Sequence, residues 1–274
     1  METDRKGGGF IEMETTDGLE NSVVFHVVKE IIGFILYMHH QIPSVLQHLE
    51  CEFDNLKNER KELEEVVLPP AEQKASFQRK HNLKIREVKQ GIKKLEKLMH
   101  AISTFLSALQ VILDQIPDAE GVILVLGGSL IRPQHVYELT FSHSGIACRS
   151  EYGHNRDRVA EILSKKAIRA LISSGAGGAT YAGPMKLFLL VKAPVTFNLP
   201  MHFLPKRDFT YSKKITPLKL LFKSRVGQDM DDAKCNHQND SSTGRSHSTS
   251  DDMIWFQCRH TIKGLPSKTP VEEC

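Results

Sequence analysis

Thirteen histidines and five cysteines are the residue types from which this 274-residue chain could build a metal centre or a nucleophile. Two pairs, Cys235-x-His237 and Cys258-x-His260, would supply four soft ligands of the kind zinc takes. Their one-residue spacing is tighter than the two-to-four-residue chelate loop of structural zinc sites. His39 and His40 are adjacent on an expected helix, so they do not share a face as an i, i+4 pair would. The histidines therefore read as solvated or core-satisfied, and no metal is expected. Gly127–Gly128 follows an apolar run, yet neither G-x-G-x-x-G nor G-x-x-x-x-G-K-[ST] is present. The Ser174–Gly178 cluster follows a helical pattern instead of opening one, the wrong polarity for holding phosphate. No G-x-S-x-G elbow and no H-E-x-x-H occurs. The expectation is a chain without catalysis and without a cofactor.

Bulk composition agrees with that direction. Lys and Arg exceed Asp and Glu by 36 − 33 = +3, and the basic doublets Arg79–Lys80, Lys93–Lys94, Lys165–Lys166 and Lys213–Lys214 are isolated. Nucleic acid and anionic membrane are not expected partners. The apolar run Val23–Met38 is short and contains His26, Lys29 and Glu30, so it reads as core and not as a bilayer span. Five widely spaced cysteines and no apolar stretch after the first basic residues suggest an intracellular, reducing setting, in nucleus and cytoplasm.

The elements follow from periodicity. Residues 1–20 are Gly- and acid-rich, which predicts a flexible tail. Asn21–Ser22 can cap a helix to about His48, apolar on two sides and hence central or partner-binding. Residues 50–78 form a charged insert, with Pro69–Pro70 as a breaker. From Val88 to Ile116 apolar residues recur at alternating spacings of three and four, a helix of about 30 residues with one seam. The period then changes to two. Val122–Leu126, His135–Ser142, Met185–Lys192, Asp208–Ile215, Leu218–Lys223 and Met253–Ile262 read as strands, with a helix at Arg156–Ser173. Residues 227–250 lack large apolar side chains almost entirely and read as a disordered loop, and 265–274 as a C-terminal tail. The sum is an α+β fold in one domain over 21–264, helices on one side of a mostly antiparallel sheet. The lone Trp255 falls on its last strand, which must return to a sheet already built.

One surface is apolar where solvent is expected. On the helix Arg156–Ser173, an arc of Val159, Ile162, Leu163, Ala167, Ala170 and Leu171 faces the sheet at about 100° per residue. Ile168 and Ile172 fall on the opposite side, flanked by Lys165 and Arg169, the composition of an interface centre with a charged rim.

Three segments in this order, Glu30–Pro43, Val122–Leu139 (VILVLGGSLIRPQHVYEL) and Ile254–Gly264 (IWFQ…TIKG), resemble the Comet family, binding proteins of the spindle-checkpoint protein Mad-two. The similarity runs loosely from Asn21 to Gly264; the insert 50–78 and the loop 227–250 look peculiar to this sequence. The resemblance implies a HORMA-like fold whose C-terminal strands return to the sheet edge. It implies a non-enzymatic adaptor that binds the closed conformer of the checkpoint protein and presents it to a hexameric AAA+ ATPase of the Pch-two type. Conversion of the checkpoint protein to its open state would silence the mitotic checkpoint, and meiotic HORMA proteins would be further partners. Carried over by residue, the interface helix is Arg156–Ser173 with Ile168 at the key apolar contact, beside Arg169, Ile172 and Lys165. A second contact falls on Met38, which the helix phase turns toward the core. The ATPase-engaging F-x-P-K segment matches Phe203-Leu204-Pro205-Lys206, where an ordinary rigid turn is the plainer reading, and Trp255 and Phe256 fall on the closing strand. The runner-up is a HORMA-type protein that itself traps a short peptide under its C-terminal segment.

Overall fold

The fold is built around Val122–Leu126, where five consecutive apolar residues must be covered on both faces of a sheet. The computed structural model describes residues 10–65, 75–116, 119–142, 153–175, 183–212, 214–224 and 253–265. The expected loop 227–250 and all of the tail but Leu265 lie outside them.

In chain order the elements are β1 (Phe10–Thr15), α1 (Asn21–Met38), a short 3-10 turn (Leu46–His48), α2 (Leu49–Glu65) and α3 (Ala75–Gln115). They continue with β2 (Gly121–Gly127), β3 (Pro133–Ser142), α4 (Gly153–Ser173), β4 (Lys186–Pro194), β5 (Phe203–Lys206), β6 (Leu218–Ser224), β7 (Met253–Cys258) and β8 (Ile262–Lys263). The strands form one mixed sheet in the order β1-β6-β3-β2-β4-β7-β5, with β8 on β4. β6 runs parallel to both β1 and β3, and the other pairs are antiparallel. This is α+β with a mixed sheet.

Alternation along β2 divides the two cores. Val122, Leu124 and Leu126 join the large core under the helices, whereas Ile123 and Val125 face a smaller cluster on the other side. That second cluster corrects one expectation. Asp208–Ile215 is not a strand: Phe209, Tyr211 and Ile215 lie across the helix-free face and roof Ile123, Val125, Val136, Phe188 and Leu190. Their alternation serves burial against the sheet instead of a ladder, and Tyr211 Oη donates to the Glu138 carboxylate below.

The N-terminal segment is also corrected. Residues 10–15 are not a tail but strand β1, whose Met13 enters the large core. Its short apolar alternation, Ile11 and Met13 between glutamates, was hidden by the acidic composition around it.

α1 ends at Met38, well before His48. Gln41 N–H bonds Leu36 O and His40 N–H bonds Tyr37 O, with His40 at φ 53, a Schellman stop in which His occupies the usual glycine position. Pro43 then bars further helix. Asn21 does not cap α1 either. Its Nδ2 donates to Leu113 O and Ile116 O at 2.7 and 2.8 Å, and its Oδ1 accepts Ala119 N–H, so it closes the C-terminus of α3. α1 meets the length and apolarity of a bilayer span. Here it lies beside α3 and α4, with Val24, Val28, Ile31, Ile32, Ile35 and Leu36 fully buried.

The charged insert is helical wherever it is described. α2 lies against α3, Leu56 touching the space over Gly91, with Glu59–Lys84 and Glu64–Lys89 ion pairs at 3.4 and 2.9 Å. α3 accordingly starts at Ala75, more than three turns before Val88, where the apolar seam that signalled it begins.

Candidate protein-interaction surface

α4 carries the surface. Arg156 Nε meets Glu20 Oε2 at 3.1 Å at its start, and α4 packs along α1 and against β1. The buried arc of α4 is Val159, Ala160, Leu163, Ser164, Ala167 and Leu171. It is rotated toward α1 relative to the sequence expectation, because the helix packs on α1 as well as on β1. Ile162 is thereby turned out and is 43% exposed, a correction to its expected place against the sheet.

Ile168 and Ile172 emerge on the α1 flank. Ile168 is half-buried and Ile172 is 60% exposed, and neither belongs to either core. On the neighbouring helix α1, Tyr37 is also exposed, at 47%. Lys165 is held by Glu161 at 2.6 Å on the same flank, which lowers the carboxyl pKa of Glu161. Arg169 points the other way, into a groove of about 700 Å³ between α4 and β1. So the sheet-distant face expected from the helix wheel holds for Ile168, Ile172 and Lys165, whereas Arg169 belongs to a separate surface. Met38 ends α1 half-buried against the large core, in keeping with its helix phase.

Pro205 and Lys206 sit on β5, the outermost strand at the opposite end of the sheet, so the F-x-P-K segment is a strand and not a turn. Both are exposed, and Phe203 is buried. Proline fits an edge, where no ladder donor is lost. They line a groove with Leu130, Ile131 and 207–212, and Ile131 at its lip is 86% exposed.

The returning strand β7 does not form the edge: it inserts between β4 and β5, Trp255 opposite Lys192 and Lys206. Phe256 is buried in the large core, and Trp255 covers the second cluster, its ring over Gly121.

The soft-ligand pairs do not converge. Cys235 and His237 lie outside the described residues. Cys258 is buried, its thiol pushed up to about 11 by desolvation, and His260 Nε2 lies 3.0 Å from His202 Nδ1 instead. Among the described residues no three potential metal ligands gather.

Sequence reasoning missed a buried polar cluster at the end of α1. His39 Nε2 is 2.6 Å from Tyr137 Oη and its ring lies 4.0 Å from that of His135. Burial, then the charges of His135 and His40, lower its pKa to about 4. Next to it Gln41 is fully buried, its side chain bonded to His39 O, Gly183 O and Met185 N–H. The signal available was a run of three polar residues, His39, His40 and Gln41, between apolar Met38 and Ile42 just before Pro43.

Compared with models of known protein families and with curated proteins, the chain matches none.

Proposed function

We propose that the chain is a non-enzymatic adaptor of the HORMA-like Comet type, which binds a closed HORMA checkpoint protein through α4 and presents it to a Pch-two-type AAA+ ATPase. The carrying observation is Ile172, 60% exposed beside half-buried Ile168, outside both cores and rimmed by the Glu161–Lys165 pair. Large apolar side chains held at one flank of a rigid helix cost solubility, and a protein partner recovers that cost. The sequence likeness to the Comet family supports the identity of the partner. The exposed Pro205–Lys206 edge, about a sheet's width away, would serve the ATPase, leaving α4 free for the cargo. Silencing of the mitotic checkpoint, in nucleus and cytoplasm, with meiotic HORMA proteins as further cargo, belongs to the same reading. Against the runner-up stands the pairing of β7, hydrogen-bonded on both edges by β4 and β5, which among the described residues leaves no strand position beside it for a captured peptide.

The test is co-purification with the closed checkpoint protein. Ile172→Asp should abolish it with the unfolding midpoint unchanged, since the side chain packs in neither core; a folded variant that still binds refutes the α4 assignment. Pro205→Ala with Lys206→Ala should keep binding and lose ATPase-stimulated conversion.

A further inference from the structure

Basic residues that are scattered in the sequence come into line on α3. Arg79, Arg86 and Lys93 are spaced by seven, and Lys97 follows four residues later. At about 100° per residue the four stay within about 40° of one another, over about 27 Å of helix axis. This row lies opposite the buried Val88, Ile92 and Leu95. All four of its side chains are exposed, as is Lys94 on its shoulder. Between residues 75 and 100 the acids are Glu87 and Glu96, and each falls about 90° to one side of the row. Lys84 and Lys89, nearer the buried seam, are held by Glu59 and Glu64 of α2, whereas none of the five is ion-paired among the described residues. Leu83, between Arg79 and Arg86 along the axis, is 57% exposed.

We propose that this row docks an acidic α-helix of a partner protein, its carboxylates in one line and an apolar side chain set against Leu83. The straightness of the row selects that occupant. A helix returns to the same face every seven residues, so its carboxylates meet Arg79, Arg86 and Lys93 in turn at intervals of about 10.5 Å. An extended acidic chain returns every two residues, about 6.6 Å, and drifts out of step. A nucleic-acid groove fits badly, because its phosphate walls flank an inserted helix and would face Glu87 and Glu96. A second copy of this chain fits badly as well, since a two-fold pairing of the rows opposes like charges. One exposed ion pair contributes little, whereas several in a line around an apolar contact act together. The surface is on a different helix from Ile168 and Ile172 and does not rest on the reading of α4.

The experiment is fluorescence anisotropy on the full chain with three labelled probes. One is a helical peptide of three heptads with its glutamates in one row beside a single Leu. The second has the same composition with the glutamates spread round the helix, and the third is a DNA duplex. The first should bind, more weakly as salt rises, and the second about tenfold less well. Arg86→Glu with Lys93→Glu should weaken the first peptide about tenfold or more. A peptide carrying Lys in place of Glu should then bind that variant and not the unaltered chain. Lys186→Glu with Lys263→Glu, an equal change of net charge at exposed positions off α3, should leave binding of the first peptide intact. The unfolding midpoint should hold in both variants, because the altered side chains are exposed. Equal binding of the two acidic peptides, tighter binding of the duplex than of the first peptide, or indifference to the change at Arg86 and Lys93 would each overturn the proposal.

Discussion

Replacing Gln41 by alanine tests whether two distant segments, the end of α1 and residues 183–185, are held together by one buried side-chain amide. Its Nε2 donates to His39 O at 2.7 Å and Gly183 O at 3.2 Å, and its Oε1 accepts Met185 N–H at 2.7 Å. Its own carbonyl accepts Leu265 N–H at 2.7 Å, a bond alanine keeps. The substitution therefore leaves the buried Met185 N–H and His39 O without partners and takes one from the part-buried Gly183 O. A buried N–H left unpaired costs about 1–3 kcal/mol, and each carbonyl somewhat less, so the loss comes to about 3–5 kcal/mol. That is a large fraction of the roughly 5–15 kcal/mol that holds a typical domain. Gln41→Leu should cost nearly as much, because it restores volume and no hydrogen bond. Gly264→Ala should reproduce the effect from the other side, since its Cβ would run into Gln41 Oε1. Urea unfolding followed by Trp255 fluorescence gives the free energy, and hydrogen exchange at Met185, Gly264 and Leu265 locates it. If Gln41→Ala shifts stability by under about 1 kcal/mol with protection intact at those amides, the groups find other partners and the reasoning fails.

Other outcomes follow from the same structure. Because burial holds the folded pKa of His39 near 4, below its ordinary 6.5, stability is full above about pH 6.5 and falls as protons compete below it. The loss from pH 7 to pH 5 should be up to about 2 kcal/mol, and His39→Gln should flatten that slope in urea titrations; parallel slopes would refute it. Asn21→Ala should cost about 1–3 kcal/mol and raise exchange at the end of α3, with α1 itself little affected. Trp255→Ala strips cover from the second cluster and should cost about 2 kcal/mol, less than the loss of a fully buried Trp, by thermal or urea melts.

Much of the scaffold was readable from residue order. The 3-4 spacing of Val88–Ile116, the apolar run of β2 and the alternation of β3 each state their structure locally, because periodicity reflects which side of an element is buried. β1 was not readable: six residues with a single fully core-facing side chain, Met13, are too few to outweigh an acidic, glycine-rich neighbourhood. Asp208–Ile215 failed for the opposite reason, since a chain lying across a sheet needs the same alternation as a strand within one. At the candidate surface, the wheel separated Ile168 and Ile172 from the buried arc, yet it could not tell that α4 leans on α1.

The sequence by itself marked most of the buried side chains, three of the four helices and most of the strands. Only the tertiary structure decided that Arg169 and Ile168 look onto different surfaces, that β7 enters between two strands, and that Gln41 joins residues over two hundred positions apart. Local pattern records the burial of one side chain at a time. Partners distant in the chain are chosen by packing, where every buried N–H and C=O must find its match.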